Sequence, residues 1–419
     1  MKADIIIANA SELLTLQGKA PRTGKRMREL GIIKEGAVAV RNGKILAVGE
    51  NREILRRFEA KKTTDASGKT VMPGFVDAHT HLVFAGAREF ELEWKINGMK
   101  YMDIAARGGG INYTMKLTRE ATKKQLAAEA MRRLRLMLAY GTTTIEAKSG
   151  YGLNLKDEIK MLEVVKELAA SQHVGIVSTF MGAHALPPEF KDFESYTNFI
   201  VEKALPAVAR RKLARYCDVF CEKGVFTLER SRRILGAAKR LGMGIRMHAD
   251  EIVNTGGAEL AADLGCASAD HLLAASAEGI GALASKGVVA VLLPAAALAL
   301  RTGKYADARK MIGAGVPIAL GTDLNPNCWC ENMQFVIALA CYQMGMTQAE
   351  AITAATINAA HSIGLAQEIG SLEKGKRADI IILDAPNHKF LGYRFGGNLV
   401  ETVIKNGRIV IGGQSKESD

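Results

Sequence analysis

The chain reads as an α/β protein: a (β/α)8 TIM-type barrel carrying a composite β-sandwich built from both chain ends. Three observations predict this. From Met72 to about Ala366, short β-branched or apolar runs alternate with longer helical stretches, the pattern of strand-helix units closing into a parallel barrel. On either side the pattern changes to strand-like runs with tight-turn signals at Asn42-Gly43 and Asn406-Gly407. With 419 residues, 48% of them apolar and 24% charged, there is core enough for one barrel and a smaller module.

Taken in order, residues 1–71 supply strands at Ala3–Ile7, Gly36–Val40 and Lys44–Val48. The apolar run Thr70 to Val76 leads into the barrel. Barrel strands are expected at Gly74–Asp77, Thr143–Ala147, Gly175–Thr179, Tyr216–Cys221, Gly244–Met247, Ala267–Asp270, Val288–Leu293 and Val316–Leu320. Between them, Thr118-Arg119-Glu120 is expected to open a long helix carrying Leu126, Met131, Leu134 and Leu138 at helical spacing. Asn154 to Ala170 and Leu228 to Leu241 behave alike. After a barrel spanning 72–366, residues 367–419 return to strands, at Ala378–Leu383 and across Leu399 to Ile411. Each end is too small to fold alone, so the two are expected to share one sandwich.

Composition excludes several function classes. The net charge of +12 comes from 56 basic and 44 acidic residues, but the basic ones are scattered over helical stretches such as Arg132-Arg133-Leu134-Arg135, with no nucleic-acid recognition motif beside them. A mild attraction for anionic small molecules is compatible. Cysteines 217, 221, 266, 328, 330 and 341 form no Cys-x-x-Cys pair, which predicts reduced thiols and a cytoplasmic location. Met1 to Leu16 lacks a signal-peptide apolar region, and the longest apolar stretch, Val288 to Leu300, is interrupted by Pro294 and too short to span a bilayer.

Chemistry concentrates at the strand ends. In Asp77-Ala78-His79-Thr80-His81 the two imidazoles, two residues apart on a strand, point the same way and can grip one metal ion. Gly182-Ala183-His184, Met247-His248-Ala249-Asp250-Glu251, Ala269-Asp270-His271 and Gly321-Thr322-Asp323 end in polar groups able to join them. His79, His81, His248 and Asp323 fall at the carboxyl ends of barrel strands one, five and eight, where barrel enzymes place their chemistry. Nitrogen and oxygen donors of this kind suit Zn²⁺ or iron. Cys328-Trp329-Cys330 reads as loop packing rather than a thiolate pair.

The chain resembles the amidohydrolase superfamily. The features common to it are Val71-Met72-Pro73-Gly74-Phe75-Val76-Asp77-Ala78-His79-Thr80-His81 and Gly370-Ser371-Leu372-Glu373-Lys374-Gly375-Lys376-Arg377-Ala378-Asp379. More specific stretches are similar to the imidazolonepropionase family. These are Gly108-Gly109-Gly110-Ile111, Glu146-Ala147-Lys148-Ser149-Gly150-Tyr151-Gly152-Leu153 and Phe180-Met181-Gly182-Ala183-His184-Ala185. Asp218-Val219-Phe220-Cys221-Glu222, His248-Ala249-Asp250-Glu251 and Ser268-Ala269-Asp270-His271-Leu272 belong with them. The resemblance covers nearly the whole chain. It implies one Zn²⁺ or Fe³⁺ per subunit on His79, His81, His248 and Asp323, with substrate contacts at Arg88, Tyr151, His184, Glu251 and Asn325. Where that family commonly has Asn-Pro-Gly followed by Ser or Thr, this chain has Asn325-Pro326-Asn327-Cys328. Glycine tolerates a positive φ that most residues do not, so the change bears on substrate contacts expected from Asn327 and Cys328.

A dication lowers the pKa of a water it binds from about 15.7 to about 7. Asp323 would help hold that ion, Glu251 is placed to move the water proton, and His271 is placed to hold the nucleophile or the developing oxyanion. Arg88 offers a planar fork to a carboxylate. The activity implied by the resemblance is hydrolysis of the ring amide of 4-imidazolone-5-propanoate, a small-molecule substrate, giving N-formimidoyl-L-glutamate in histidine breakdown. Blander readings stand beside each residue: Tyr151 closing a turn, His184 as a capped loop histidine, Arg88 in a surface pair with Glu89, and Gly108 to Gly110 as a loop over the barrel mouth. His173, His361 and His388 receive no catalytic role. The rival functions are a purine or pyrimidine deaminase of the same superfamily and a metal-free scaffold. No membrane or nucleic-acid partner is expected, and a homodimer is.

Overall fold

The computed structural model describes residues 1–99, 103, 104, 107–301 and 303–412. The first five strands are β1 (Lys2–Leu14), β2 (Ile32–Arg41), β3 (Lys44–Glu50), β4 (Glu59–Asp65) and β5 (Thr70–Pro73). β1 is bent: Asn9 sits at φ 61°, and the register against β2 shifts between Ile7 and Ala10. Before the bend β1 pairs with β4, and after it with β5, both parallel. One strand thus takes two parallel partners in turn within one sheet. Asn42 and Gly43 carry φ of 50° and 75°, the paired positive values that a two-residue hairpin needs.

Eight parallel strands follow: β6 (Phe75–Thr80), β7 (Thr142–Lys148), β8 (Gly175–Ala183), β9 (Tyr216–Cys221), β10 (Gly244–Ala249), β11 (Ser268–His271), β12 (Val289–Leu292) and β13 (Ile318–Leu320). They lie in chain order. Across the seam between β13 and β6, Asp323 N donates to His79 O at 3.0 Å and His81 N to Leu324 O at 2.8 Å. The buried Asp77 carboxylate adds to it by accepting from Thr322 N at 3.0 Å and Thr322 Oγ1 at 2.5 Å. The expected strands appear at the expected places, and β6, β8, β10 and β11 run on to include or reach the histidines.

One apolar run divides between two sheets, and one expected helix start fails, each for an identifiable reason. The run Thr70 to Val76 is not one strand: Met72 and Pro73 pair with the C-terminal part of the chain, while Phe75 onward pairs with β7. Gly74 is the pivot, since a Cβ there would lie 2.3 Å from Thr143 Cγ2. Thr118-Arg119-Glu120 ends a helix, Gly110–Glu120, instead of opening one. The next helix, Lys123–Ala139, starts from Thr122, which accepts from Gln125 N in a reciprocal capping box. The helices expected at Asn154 to Ala170 and Leu228 to Leu241 are present, capped by Asn154 and Thr227, whose side chains accept from Asp157 N and Arg230 N. β4 was not anticipated, because its alternation is of exposed and half-buried polar side chains with no apolar stripe.

The chain then returns to the first sheet with β14 (Ile380–Leu383), β15 (Val400–Lys405) and β16 (Arg408–Ile411). Asn406-Gly407 makes the hairpin, at φ 47° and 72°. The strand order is β16-β15-β14-β5-β1-β2-β3, with β4 also on β1, so β5 lies between strands contributed by opposite ends. Alternation divides the faces: Ile5, Ile7, Val38, Val40, Ile380, Ile382 and Ile404 pack in one core, and Ile6, Ala39, Ile54 and Phe58 in another. Among the described residues no helix is long and apolar enough to cross a membrane.

Candidate active site

The histidines meet because of strand period. On β6, Asp77, His79 and then His81 beyond it fall on one side; on β10, Arg246 and His248 do the same. Atoms of His79, His81 and His248 lie within 4.8 Å of one another, as do those of His79, His271 and Asp323. Asp323 Oδ1 is 3.4 Å from His79 Nε2 and 3.6 Å from His81 Nε2. Four of the expected ligands therefore converge, with His271 beside them.

The donor set fits a cation on its own chemistry. His79 Nε2 and Asp323 Oδ1 are buried and without a hydrogen-bond partner, a costly state for polar atoms unless something binds them. His79 Nδ1 meets Asp270 Oδ2 at 2.6 Å and His248 Nδ1 meets Asp218 Oδ1 at 3.1 Å. Each carboxylate accepts a hydrogen bond from Nδ1–H, leaving Nε2 a lone pair for an ion. Burial holds His79, His81 and His271 well below the ordinary imidazole range, so they are neutral donors. Burial pushes Asp323 up to about 6 and, with the nearby Asp323 charge, Glu251 up to about 8. A cation held by Asp323 would oppose both shifts.

Glu251 follows β10, its Oε1 3.6 Å from His271 Nδ1. His271 and Asp323 take left-handed φ values of 75° and 50°, as does Asp250 at 49°. For non-glycine residues that conformation costs energy and recurs where side chains must be aimed.

Arg88, Tyr151 and His184 arrive on the loops after β6, β7 and β8. His184 stacks on His81 at 5.1 Å between ring centroids, and Tyr151 lies 5.6 Å from His81 and 5.2 Å from His184. His184 Nδ1 donates to Gly150 O at 2.9 Å, which turns Nε2 the other way, and burial pushes this ring down to about 3. Arg88 is buried, and its partner is Glu91, at 3.4 Å, rather than Glu89. Glu91 also accepts from Gly110 N at 2.7 Å, so Gly109 and Gly110 start a tethered helix where a loop over the mouth was expected.

The loop after Asp323 is folded around Asn325. Its Oδ1 accepts from Asn327 N at 2.8 Å and Cys328 N at 2.9 Å, and its Nδ2 donates to Asp323 O at 2.8 Å. The backbone donors expected to face substrate at 327 and 328 are thus turned to Asn325. Asn327 is not among the residues at positive φ, so no glycine is required there. Its side chain accepts from Lys95 Nζ. Cys328 is buried, and Trp329 packs edge-on to Phe84 at 5.3 Å, in keeping with loop packing. His388 is held by Glu12 at 2.7 Å, away from the cluster.

Sequence reasoning gave no role to the charges beneath the histidines. Lys148, Arg246, Glu146, Asp218 and Asp270 are all fully buried. The signal was present in Glu146-x-Lys148, Arg246-x-His248 and Ser268-x-Asp270, each pair sharing one side of a strand.

A parallel barrel with a histidine and carboxylate cluster at the carboxyl ends of its strands is the frame of a metal-dependent hydrolase. The amidohydrolase family profile matches residues 70–410. Imidazolonepropionase of Geobacillus kaustophilus is 51% identical over 97% of this chain and 98% of its own length. That of Alkaliphilus metalliredigens is 49% identical over 98% and 99%. The chain belongs to the amidohydrolases and, within them, to the imidazolonepropionase family. Among solved structures, a zinc-bound adenosine deaminase from Xanthomonas campestris superposes with a TM-score of 0.74 at 19% identity, covering 100% of this chain and 95% of that one. The ochratoxinase of A. niger gives 0.71 at 22% identity, covering 98% and 96%. Those two likenesses concern the fold alone.

Proposed function

We infer that this enzyme hydrolyses the ring amide C–N bond of 4-imidazolone-5-propanoate to N-formimidoyl-L-glutamate, a step of histidine breakdown. The observation that carries the reading is about half-identity, along nearly the whole length, to proteins named imidazolonepropionase. His79, His81, His248 and Asp323 would hold one Zn²⁺ or Fe³⁺ per subunit. Such an ion, when bound, supplies an activated water near neutral pH and polarises a carbonyl.

The chain's own groups do the rest. Glu251 takes a proton from water as its oxygen joins the ring carbonyl carbon, and returns it to the ring nitrogen as the C–N bond breaks. His271 holds the attacking or developing oxygen. Arg88 pairs with the propionate carboxylate, while Tyr151 and His184 flank the ring and Asn325 shapes the loop that follows Asp323. Backbone contacts from Asn327 and Cys328 would require that loop to release them from Asn325. A cytoplasmic homodimer is the setting that fits reduced cysteines and the usual assembly of soluble enzymes.

Decay of ultraviolet absorbance of freshly made 4-imidazolone-5-propanoate tests the activity. A charge-assisted bidentate pair contributes roughly 1.5–3 kcal/mol, so Arg88→Met is expected to lower kcat/KM about 10- to 150-fold, and much less on an analogue without the carboxylate. Equal losses on both would remove Arg88 from carboxylate recognition. Ammonia release from guanine or cytosine faster than imidazolone hydrolysis would overturn the functional reading in favour of a deaminase.

A further inference from the structure

We propose that Lys148 is a positioning residue of the metal centre, its single ammonium bridging the two carboxylates that orient His79 and His248. Lys148 ends β7 with no solvent exposure. Its Nζ donates to Asp218 Oδ2 at 2.7 Å and to Glu146 Oε1 at 3.0 Å, and it lies 3.6 Å from Asp270 Oδ2. Asp218 turns its other oxygen to the backbone N and Nδ1 of His248, both at 3.1 Å. Asp270 Oδ2 is the atom that meets His79 Nδ1. One charge therefore hydrogen-bonds the carboxylate behind His248 and sits in ion-pair range of the one behind His79, linking two rings carried on strands that are not neighbours.

The other contacts show why Lys148, and not a second group, makes this link. Asp270 is also fixed by Arg246 Nη2 at 3.2 Å and Ser268 Oγ at 2.5 Å, and Arg246 itself is tied to Ser362 O and Ala78 O. Arg246 thus hydrogen-bonds the carboxylate on the His79 side. Among the described residues, only Lys148 touches the carboxylates of both sides. A structural charge pair needs one partner; here the ammonium faces three, and Glu146 Oε2 is left without any. The arrangement suits ligand alignment better than stability, since a buried ion pair is weak evidence for stabilisation, whereas groups that orient metal-bound histidines control affinity about 10- to 100-fold.

The inference rests on the metal reading above, and one experiment separates the two. Zinc affinity of the full chain is measured by competition with a chromophoric chelator, and the visible spectrum of the cobalt-loaded protein is recorded. Wild-type protein that takes up neither ion would sink the metal reading itself. Given wild-type binding, Lys148→Met is expected to weaken zinc about 10- to 100-fold and to alter the cobalt spectrum, a change that a merely structural lysine would not produce. Should that variant not fold, Glu146→Leu with Lys148→Met removes one charge of each sign and keeps the buried balance. The same loss of affinity is expected there. Wild-type zinc affinity and cobalt spectrum in either folded variant overturns the proposal, even if its melting temperature falls.

Discussion

The two sheets of this molecule are built by opposite means. In the end module the inward positions are isoleucine and valine, as in Ile5, Ile7, Val38, Ile380 and Ile382. In the barrel, the corresponding positions beneath the site are Glu146, Lys148, Asp218, Arg246 and Asp270, all buried. An apolar sheet is held by area, which is non-directional and tolerant of small changes. A buried ionic layer is held by matched pairs, and each member removed leaves an opposite charge stranded in low dielectric. The module therefore supplies cohesion, and the barrel interior supplies aim.

The sharpest test of that contrast is at the cluster. His79→Ala deletes the ligand shared by both groups of converging atoms; metal content measured by atomic emission is expected to fall from about one ion per chain to near zero, and turnover with it. Full metal content with normal turnover would falsify the ligand set. Next in size, Glu251→Gln keeps the shape of the side chain but cannot accept a proton. It is expected to retain the ion while kcat drops by roughly 10² to 10⁴, and a loss under tenfold would shift the proton-transfer role to His271.

Smaller effects separate the two sheets directly. Arg246→Met strips Asp270 of its 3.2 Å partner and is expected to cost on the order of 3–5 kcal/mol in urea unfolding. Ile382→Val, in the middle of the module core, is expected to cost only about 0.5–1.5 kcal/mol. If the two substitutions destabilise equally, the barrel interior is no more brittle than the module, and the division between aim and cohesion fails.

The same contrast explains what was readable in the sequence. Alternation of isoleucine and valine, the Asn-Gly hairpins and the strand-end histidines are local signals, and each lies where the pattern puts it. The barrel strand was expected from Gly74, but Thr70 to Val76 is apolar on both sides of it, so the change of sheet there shows only in the crowding of Thr143 against that glycine. The helix start at Thr122 was misplaced by a few residues because Thr118 also precedes an apolar periodicity. Asp218 and Asp270 stood in view, but their partners His248 and His79 lie 30 and 191 positions away. Pairings at such separations are a property of the closed barrel, which no window of sequence contains.

Gly74 also has a consequence in time. β5 leaves the ribosome early, but its second neighbour in the sheet, β14, begins 307 positions after Pro73, at Ile380. At synthesis rates of about 5–20 residues per second, the strand that leads directly into His79 and His81 waits roughly 15–60 seconds with one edge unpaired. An open edge of that kind invites pairing with other chains. The strand that leads into β6 is thus anchored on one side by a partner made some 307 positions later.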